Sequence, residues 1–278
     1  MIRTLITLFR LKLSLLNGIA AVAGCLLFPA ASRALPAFTA ITAFTGVFLL
    51  AAGSSAFNQV IERNLDSRMM RTRLRPLPTG AMSITAALFL AGSAVVSGLL
   101  VLVSAGDGKP GICGAIAVVW YLGVYTPLKR YSSLTLLIGG LCGAFPPLIG
   151  WSLAGGHPGD FRIVILAGLL FLWQVPHFWL FQRRHAEDYR RVGIPLFCVG
   201  GKLYGYNLFF WLWLGALSVG ALLLPLFGLI GRPGAFWYML FPVPLVFLSA
   251  FRSGRHLFSY INCFPLLVTL LLMIQKRC

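Results

Sequence analysis

From residue 11 onward the chain alternates long uncharged blocks with short charged ones. Nine apolar segments stand out, at 11–29, 36–57, 82–104, 111–127, 133–154, 162–181, 206–227, 234–251 and 257–274. Most approach the roughly 20 residues a helix needs to cross a hydrocarbon core. None alternates apolar and polar positions as a barrel strand does. The pattern therefore predicts an all-α polytopic membrane protein, with nine transmembrane helices bundled around a central cavity, in a single domain over 1–278. The first segment follows a basic start, as a signal peptide would. Eight more spans come after it, so it is read as span one rather than a cleaved leader.

Composition agrees: 59% of residues are hydrophobic and 10% charged, with mean hydropathy +0.87. Soluble domains carry about 25% charged residues. The net charge of +17 would suit a nucleic-acid partner, but its placement argues against one. With nine spans the connections fall on alternate sides. Of the 23 Lys and Arg, only Arg33, Lys109, Arg162, Arg232, Lys276 and Arg277 lie opposite the N-terminal side. The positive-inside rule then puts the N-terminus and the basic loops in the cytoplasm, in a multi-pass protein of the cell's inner (plasma) membrane. A nucleic-acid binder would gather its charge on a soluble face, and no segment offers one. Six scattered cysteines with no CxxC pair read as free thiols rather than metal or disulfide sites.

Topology explains most of the arginines but not the acids. Of the six acidic residues, Glu62, Asp66, Glu187 and Asp188 fall in two connections on the basic side. In "NQVIERNLDSRMMRTRLRPLP", Asn58, Glu62 and Asp66 are spaced by four, which places three oxygen-bearing side chains on one stripe if span two continues as a helix. Such oxygens suit a hard cation such as Mg²⁺. The arginines that follow, Arg71, Arg73 and Arg75, have the shape that grips phosphate oxygens. A solvated helix end with internal ion pairs is the alternative. In "WQVPHFWLFQRRHAEDYRRVGIPLF", His177, Phe181, His185 and Asp188 predict a second stripe on one helix, again followed by arginines. Two facing stripes would hold two Mg²⁺ ions beneath a diphosphate. Gly139 and Gly143 form a small-xxx-small pair and predict close helix packing there.

The first block, matched at Asn58, Glu62, Arg63, Asp66, Met69, Arg71, Thr72, Arg75, Pro76 and Leu77, resembles the first signature of the UbiA superfamily of intramembrane prenyltransferases, and most closely its protoheme IX farnesyltransferase branch. "YTPLKR" with "GGLCGAFPPLIGW", and "FLWQVPHFW" with "DYRRVGIPLF", resemble the branch's central and second active-site blocks. The chain departs from the pattern in having Glu62 and Asn64 where members carry Asp, Thr135 for Asn, and Arg10-Leu11 for Lys-Pro.

The resemblance implies transfer of a farnesyl group from farnesyl diphosphate to a vinyl group of haem B, a substrate rather than a cofactor. Asn58, Glu62, Asp66 and Asp188 would hold Mg²⁺. Arg71, Arg75, Lys129 and Arg130 would contact diphosphate. His177, Tyr125 and His185 would face the haem or the farnesyl cation, and terminal oxidase assembly partners are implied. For His177 a polar contact between helices is the alternative. Two rival readings are a family member with a quinone-ring or chlorophyll-type acceptor, and a transporter of an anionic metabolite. In a transporter the charged positions would be expected near mid-membrane, whereas these acids end the spans.

Overall fold

The computed structural model describes residues 1–29, 37–105, 107–199, 202–203, 208–245 and 254–275. Among the described residues the regular structure is helical apart from one antiparallel pair of two-residue strands, Cys198–Val199 with Lys202–Leu203. Among the described residues seven helices are long and apolar enough to cross a membrane: Ala37–Asp66, Ile84–Ser104, Lys109–Leu128, Thr135–Leu153, Phe161–Arg184, Leu208–Leu226 and His256–Ile274. Ile2–Leu8 and Leu11–Leu27 make an eighth if the pair, bent by 55°, is one span. Of the expected span 234–251, residues 246–251 lie outside the described residues, as do Arg33, Arg252, Lys276 and Arg277 of the charge argument. Before them the eight-residue helix Arg232–Met239 is followed by further helical residues at 242–245.

Local chemistry sets several ends. Ser83 caps Ile84–Ser104 by accepting the Ala86 N–H at 3.2 Å, and Asp160 caps Phe161–Arg184 by accepting the Arg162 N–H at 2.9 Å. Within Lys109–Leu128 the segment Trp120–Tyr125 is a π-helix turn, a form often found at functional positions. Pro127, with no N–H, comes two residues after its end.

Lipid gives helices no hydrophobic reason to associate, so close backbone contact must hold them together. A Cβ on Gly24 would fall 2.0 Å from the Pro147 carbonyl oxygen, and one on Gly150 1.8 Å from that of Ala21. Leu11–Leu27 and Thr135–Leu153 therefore cross backbone to backbone. Gly53 meets the Ala91 carbonyl in the same way, joining Ala37–Asp66 to Ile84–Ser104. The expected close pair, Gly139 and Gly143, serves otherwise. The first makes room for the Tyr125 ring and the second for the Gln174 side chain. A small-xxx-small spacing marks a groove but does not say whether a backbone or a side chain fills it.

Candidate active site

Ala37–Asp66 does continue as one 30-residue helix, so the stripe forms. Asn58, Glu62 and Asp66 are all buried, at 3%, 6% and 3% exposure, at the end of the bundle where the first long helix begins. Each meets a partner from elsewhere in the chain. Asn58 Nδ2 donates to Thr126 Oγ1 at 3.3 Å, and Thr126 donates in turn to the Tyr121 carbonyl at 2.7 Å, inside the π turn. That turn sets Lys129, whose Nζ lies 2.6 Å from both Glu62 oxygens and donates to Oε2. Lys129 also stands 5.6 Å from the centre of the Tyr125 ring, which stacks on Tyr121. Burial lowers the pKa of the Lys129 ammonium, while the Glu62 charge acts to raise it.

Asp66 closes the loop that follows its own helix. Arg75 Nη1 donates to Asp66 Oδ2 at 2.7 Å, and Thr72 Oγ1 donates to the Asp66 carbonyl at 2.9 Å. Arg71 is exposed, with its guanidinium 5.0 Å from the centre of the Phe181 ring. Arg130 turns back on the stripe's own helix, donating to the Ile61 carbonyl at 3.1 Å.

The second stripe departs from expectation. The helix stops at Arg184, His185 caps it, and Ala186–Arg191 starts afresh. His177 and Asp188 are therefore not on one rod. The cause is tertiary. Asp188 Oδ1 and Oδ2 accept the backbone N–H groups of Met70 and Arg71 at 2.7 and 3.1 Å, which ties the short helix to the arginine loop. The oxygens expected to face a second metal thus serve backbone amides. Among the described residues no three His, Cys, Asp or Glu stand close enough to hold a metal ion.

His177 lies deeper, within a cage formed by Trp173, Phe178, Phe181 and Phe258, with ring centroids 4.9 to 6.5 Å away. Asn262 hydrogen-bonds the ring, while Nδ1 is buried with no hydrogen-bond partner. His185 packs on Phe181 at 4.8 Å.

The sequence marks Arg10 only as a basic-side charge and as half of the Arg-Leu pair that stands in place of Lys-Pro. Its charge acts on both Lys129 and Tyr189, so it lies near the cluster. It gets there through a left-handed backbone (φ 45°), a strained conformation costing about 1–2 kcal/mol for a non-glycine residue. Gln59, beside Asn58 on the stripe's helix, holds the bend by donating to the Thr7 and Leu8 carbonyls at 3.0 and 2.7 Å. The Arg-Leu pair in place of Lys-Pro was the only local hint. A separate cavity of about 270 Å³, lined by Phe28, Phe161, Arg162, Phe227 and Leu272, lies at the opposite end of the bundle.

These features define a class: a membrane-embedded helical bundle with a buried oxygen stripe, matched by lysine and arginine, at one end. Residues 18–257 match the model of the UbiA prenyltransferase family, and the chain belongs to that family. It is 54% identical over 275 residues to the protoheme IX farnesyltransferase of Geobacter sulfurreducens, covering 99% of this chain and 100% of that one. It is 35% identical to the enzyme of the same name from Oleidesulfovibrio alaskensis, covering 99% and 97%. The fold is shared with a UbiA homologue from Aeropyrum pernix K1, at TM-score 0.77 and 16% identity over 95% of this chain and 98% of that one. It is also shared with a UbiA homologue from Archaeoglobus fulgidus bound to GPP and Mg²⁺, at TM-score 0.70 and 13% identity over 99% and 100%.

Proposed function

We propose that the chain transfers the farnesyl group of farnesyl diphosphate to a vinyl group of haem B, making haem O. The observation that carries the reading is the Asn58–Glu62–Asp66 stripe, met at one end of the bundle by Lys129 and Arg75. The full-length likeness to protoheme IX farnesyltransferases supports haem as the acceptor. All of 1–278 acts as one catalytic domain, with nine crossings around a central cavity. The N-terminus and the acid–arginine end face the cytoplasm across the inner membrane. The product passes to terminal oxidase assembly.

The stripe fits Mg²⁺ chemically. It offers an amide and two carboxylates, all hard oxygen donors, and the Glu62 carboxylate is met by a single ammonium, that of Lys129, which leaves lone pairs for a cation. Bound there beside the diphosphate, Mg²⁺ would supply positive charge to the leaving group. The stripe suits one ion, and a second would lean mainly on the diphosphate's own oxygens.

The residues perform the rest. Lys129, Arg71, Arg75 and Arg130 bind and orient the diphosphate, and they stabilise the charge it gains as the allylic C–O bond breaks with both electrons leaving on oxygen. Tyr125 and Phe181 present ring faces to the farnesyl cation and help exclude water. The vinyl π electrons form the new C–C bond. Water then adds to the resulting carbocation and loses a proton, giving a hydroxyethylfarnesyl group. His177, its Nδ1 free of partners, faces the haem.

The test is incubation of the purified chain with farnesyl diphosphate and haem B, with and without Mg²⁺, alongside aromatic-acid acceptors. Mass spectrometry should find a farnesyl-bearing haem that requires Mg²⁺. A prenylated aromatic acid with unchanged haem would instead assign the other acceptor class.

A further inference from the structure

The best-anchored element outside the stripe is the turn that carries Arg71. The N–H groups of Thr72 and Arg73 both bond to the Met69 carbonyl, at 3.1 and 2.9 Å, closing a tight loop. The preceding N–H groups, of Met70 and Arg71, point outward from the start of that loop, as the first amides of a helix do. Asp188 accepts both, at 2.7 and 3.1 Å, across 118 and 117 residues of sequence. Its own exposure is 7%. The Asp66 and Thr72–Arg75 contacts tie the same loop from the other side. The guanidinium of Arg71 rests over Phe181, on the helix that leads into the Asp188 segment. One carboxylate thus fixes both the turn and the approach of the two site segments.

A carboxylate placed to hold metal would aim its oxygens at the stripe. These oxygens aim at amides, and Asp188 forms no cluster of three with Glu62 and Asp66. We propose that Asp188 is a positioning residue: it clasps the 69–73 turn so that Arg71 meets the diphosphate, and it does not hold the metal. The Arg71 half of this statement rests on the diphosphate reading above, whereas the clasp does not.

Three measurements test it on the full chain in detergent. The first is hydrogen exchange of peptides covering 67–75, without metal or substrate. Asp188→Asn keeps one acceptor but turns an amide N–H toward the other amide. Exchange in the turn should rise about ten- to a hundredfold, as expected for loss of a charge-assisted hydrogen bond. The second is binding of inorganic pyrophosphate. Asp188→Asn should weaken it by about tenfold, and adding Asp188→Asn to Arg71→Ala should weaken it no further than Arg71→Ala alone. The Mg²⁺ concentration giving half-maximal rate at saturating farnesyl diphosphate should not move. Unchanged exchange with a raised Mg²⁺ requirement would overturn the proposal and return Asp188 to the metal. Should Asp188→Asn not fold, Asp188→Glu, which keeps the charge but lengthens the reach, decides through the same exchange assay: a loosened turn supports the clasp and an unchanged one refutes it. If the unaltered protein binds no pyrophosphate, the diphosphate reading fails while the exchange result still judges the clasp.

Discussion

Gly150→Ala is the sharpest test of how the bundle is held together. The new Cβ would lie 1.8 Å from the Ala21 carbonyl oxygen, where ordinary contact starts at 3.4 Å, so the two helices must part by 3.4 − 1.8 = 1.6 Å. On the same crossing a Cβ on Gly24 would fall 2.0 Å from the Pro147 carbonyl oxygen, so the backbones are close there too and leave no slack for rotation. Opening by that amount also carries the Cys25 thiol away from the Gly150 carbonyl, which it now approaches at 3.0 Å. A gap of about 0.5–1 Å already forfeits a quarter to a half of a dispersion contact. The buried group around Ala21, Cys25, Ile149 and Leu153 would therefore lose most of its packing across the seam. Overpacking costs about 1–3 kcal/mol, and the upper end applies because the obstacle is backbone, not a side chain that can swing. At about 2–4 °C per kcal/mol the melting temperature should fall by roughly 6–12 °C. The assay is thermal unfolding in one detergent beside Gly168→Ala. At Gly168 nothing lies within 4 Å, so alanine should stabilise by about 0.5–1 kcal/mol through helix propensity. Equal melting of the two variants would refute the backbone crossing.

Four further outcomes follow from the site. Asp66→Ala should abolish transfer in a protein that still folds, and normal turnover would remove the stripe from the mechanism. Lys129→Met strands the buried Glu62 carboxylate and should cost about 3–5 kcal/mol of stability, much of it restored by adding Glu62→Gln while activity stays lost; melting curves of both variants decide. Burial first, then the charges of Arg71 and Arg184, hold His185 below its ordinary pKa, against a smaller pull from Asp188. The unfolded chain therefore binds more protons below about pH 6.5, so stability is lost as pH falls through the window beneath that value, and His185→Phe should flatten this acid limb in a pH series of melts. His177→Ala should weaken haem binding, read by absorbance, and leave pyrophosphate binding unchanged; loss of both would make the aromatic cage a structural wall.

The first stripe was legible because a spacing of four on a continuing helix fixes a face whatever the rest of the chain does. Glu62 and Asp66 needed no tertiary knowledge to be aligned, only to find Lys129 and Arg75. The second stripe was drawn by the same spacing and misread, because its helix ends where Asp188 is tied to amides more than a hundred residues earlier. Nothing between Phe181 and Asp188 announces that stop: there is no proline, and the first glycine comes only at 193. Arg10 was hidden for a similar reason. Its nearness to the cluster depends on a left-handed bend and on Gln59, which the Arg-Leu pair alone does not announce. The glycines are a third case, since Gly24 and Gly150 carry the backbone crossing without sharing a motif.

The contacts of Asp188 also bear on how three carboxylates can be buried at the end of a membrane bundle. An uncompensated buried charge costs several kcal/mol, so a site built only to bind metal would resist folding without it. Here Glu62 has Lys129, Asp66 has Arg75, and Asp188 has two backbone N–H groups. Each acid is balanced within the chain, and two of the balancing groups are the cations proposed to take the diphosphate. On the proposed function, substrate binding would exchange partners: the diphosphate would draw Lys129 and Arg75 away from Glu62 and Asp66, and the freed stripe oxygens would be left to hold Mg²⁺. On the same reading Asp188 would stand outside that exchange, since its partners are two backbone amides, and it would hold the Arg71 turn in place while the pairs beside it reorganise.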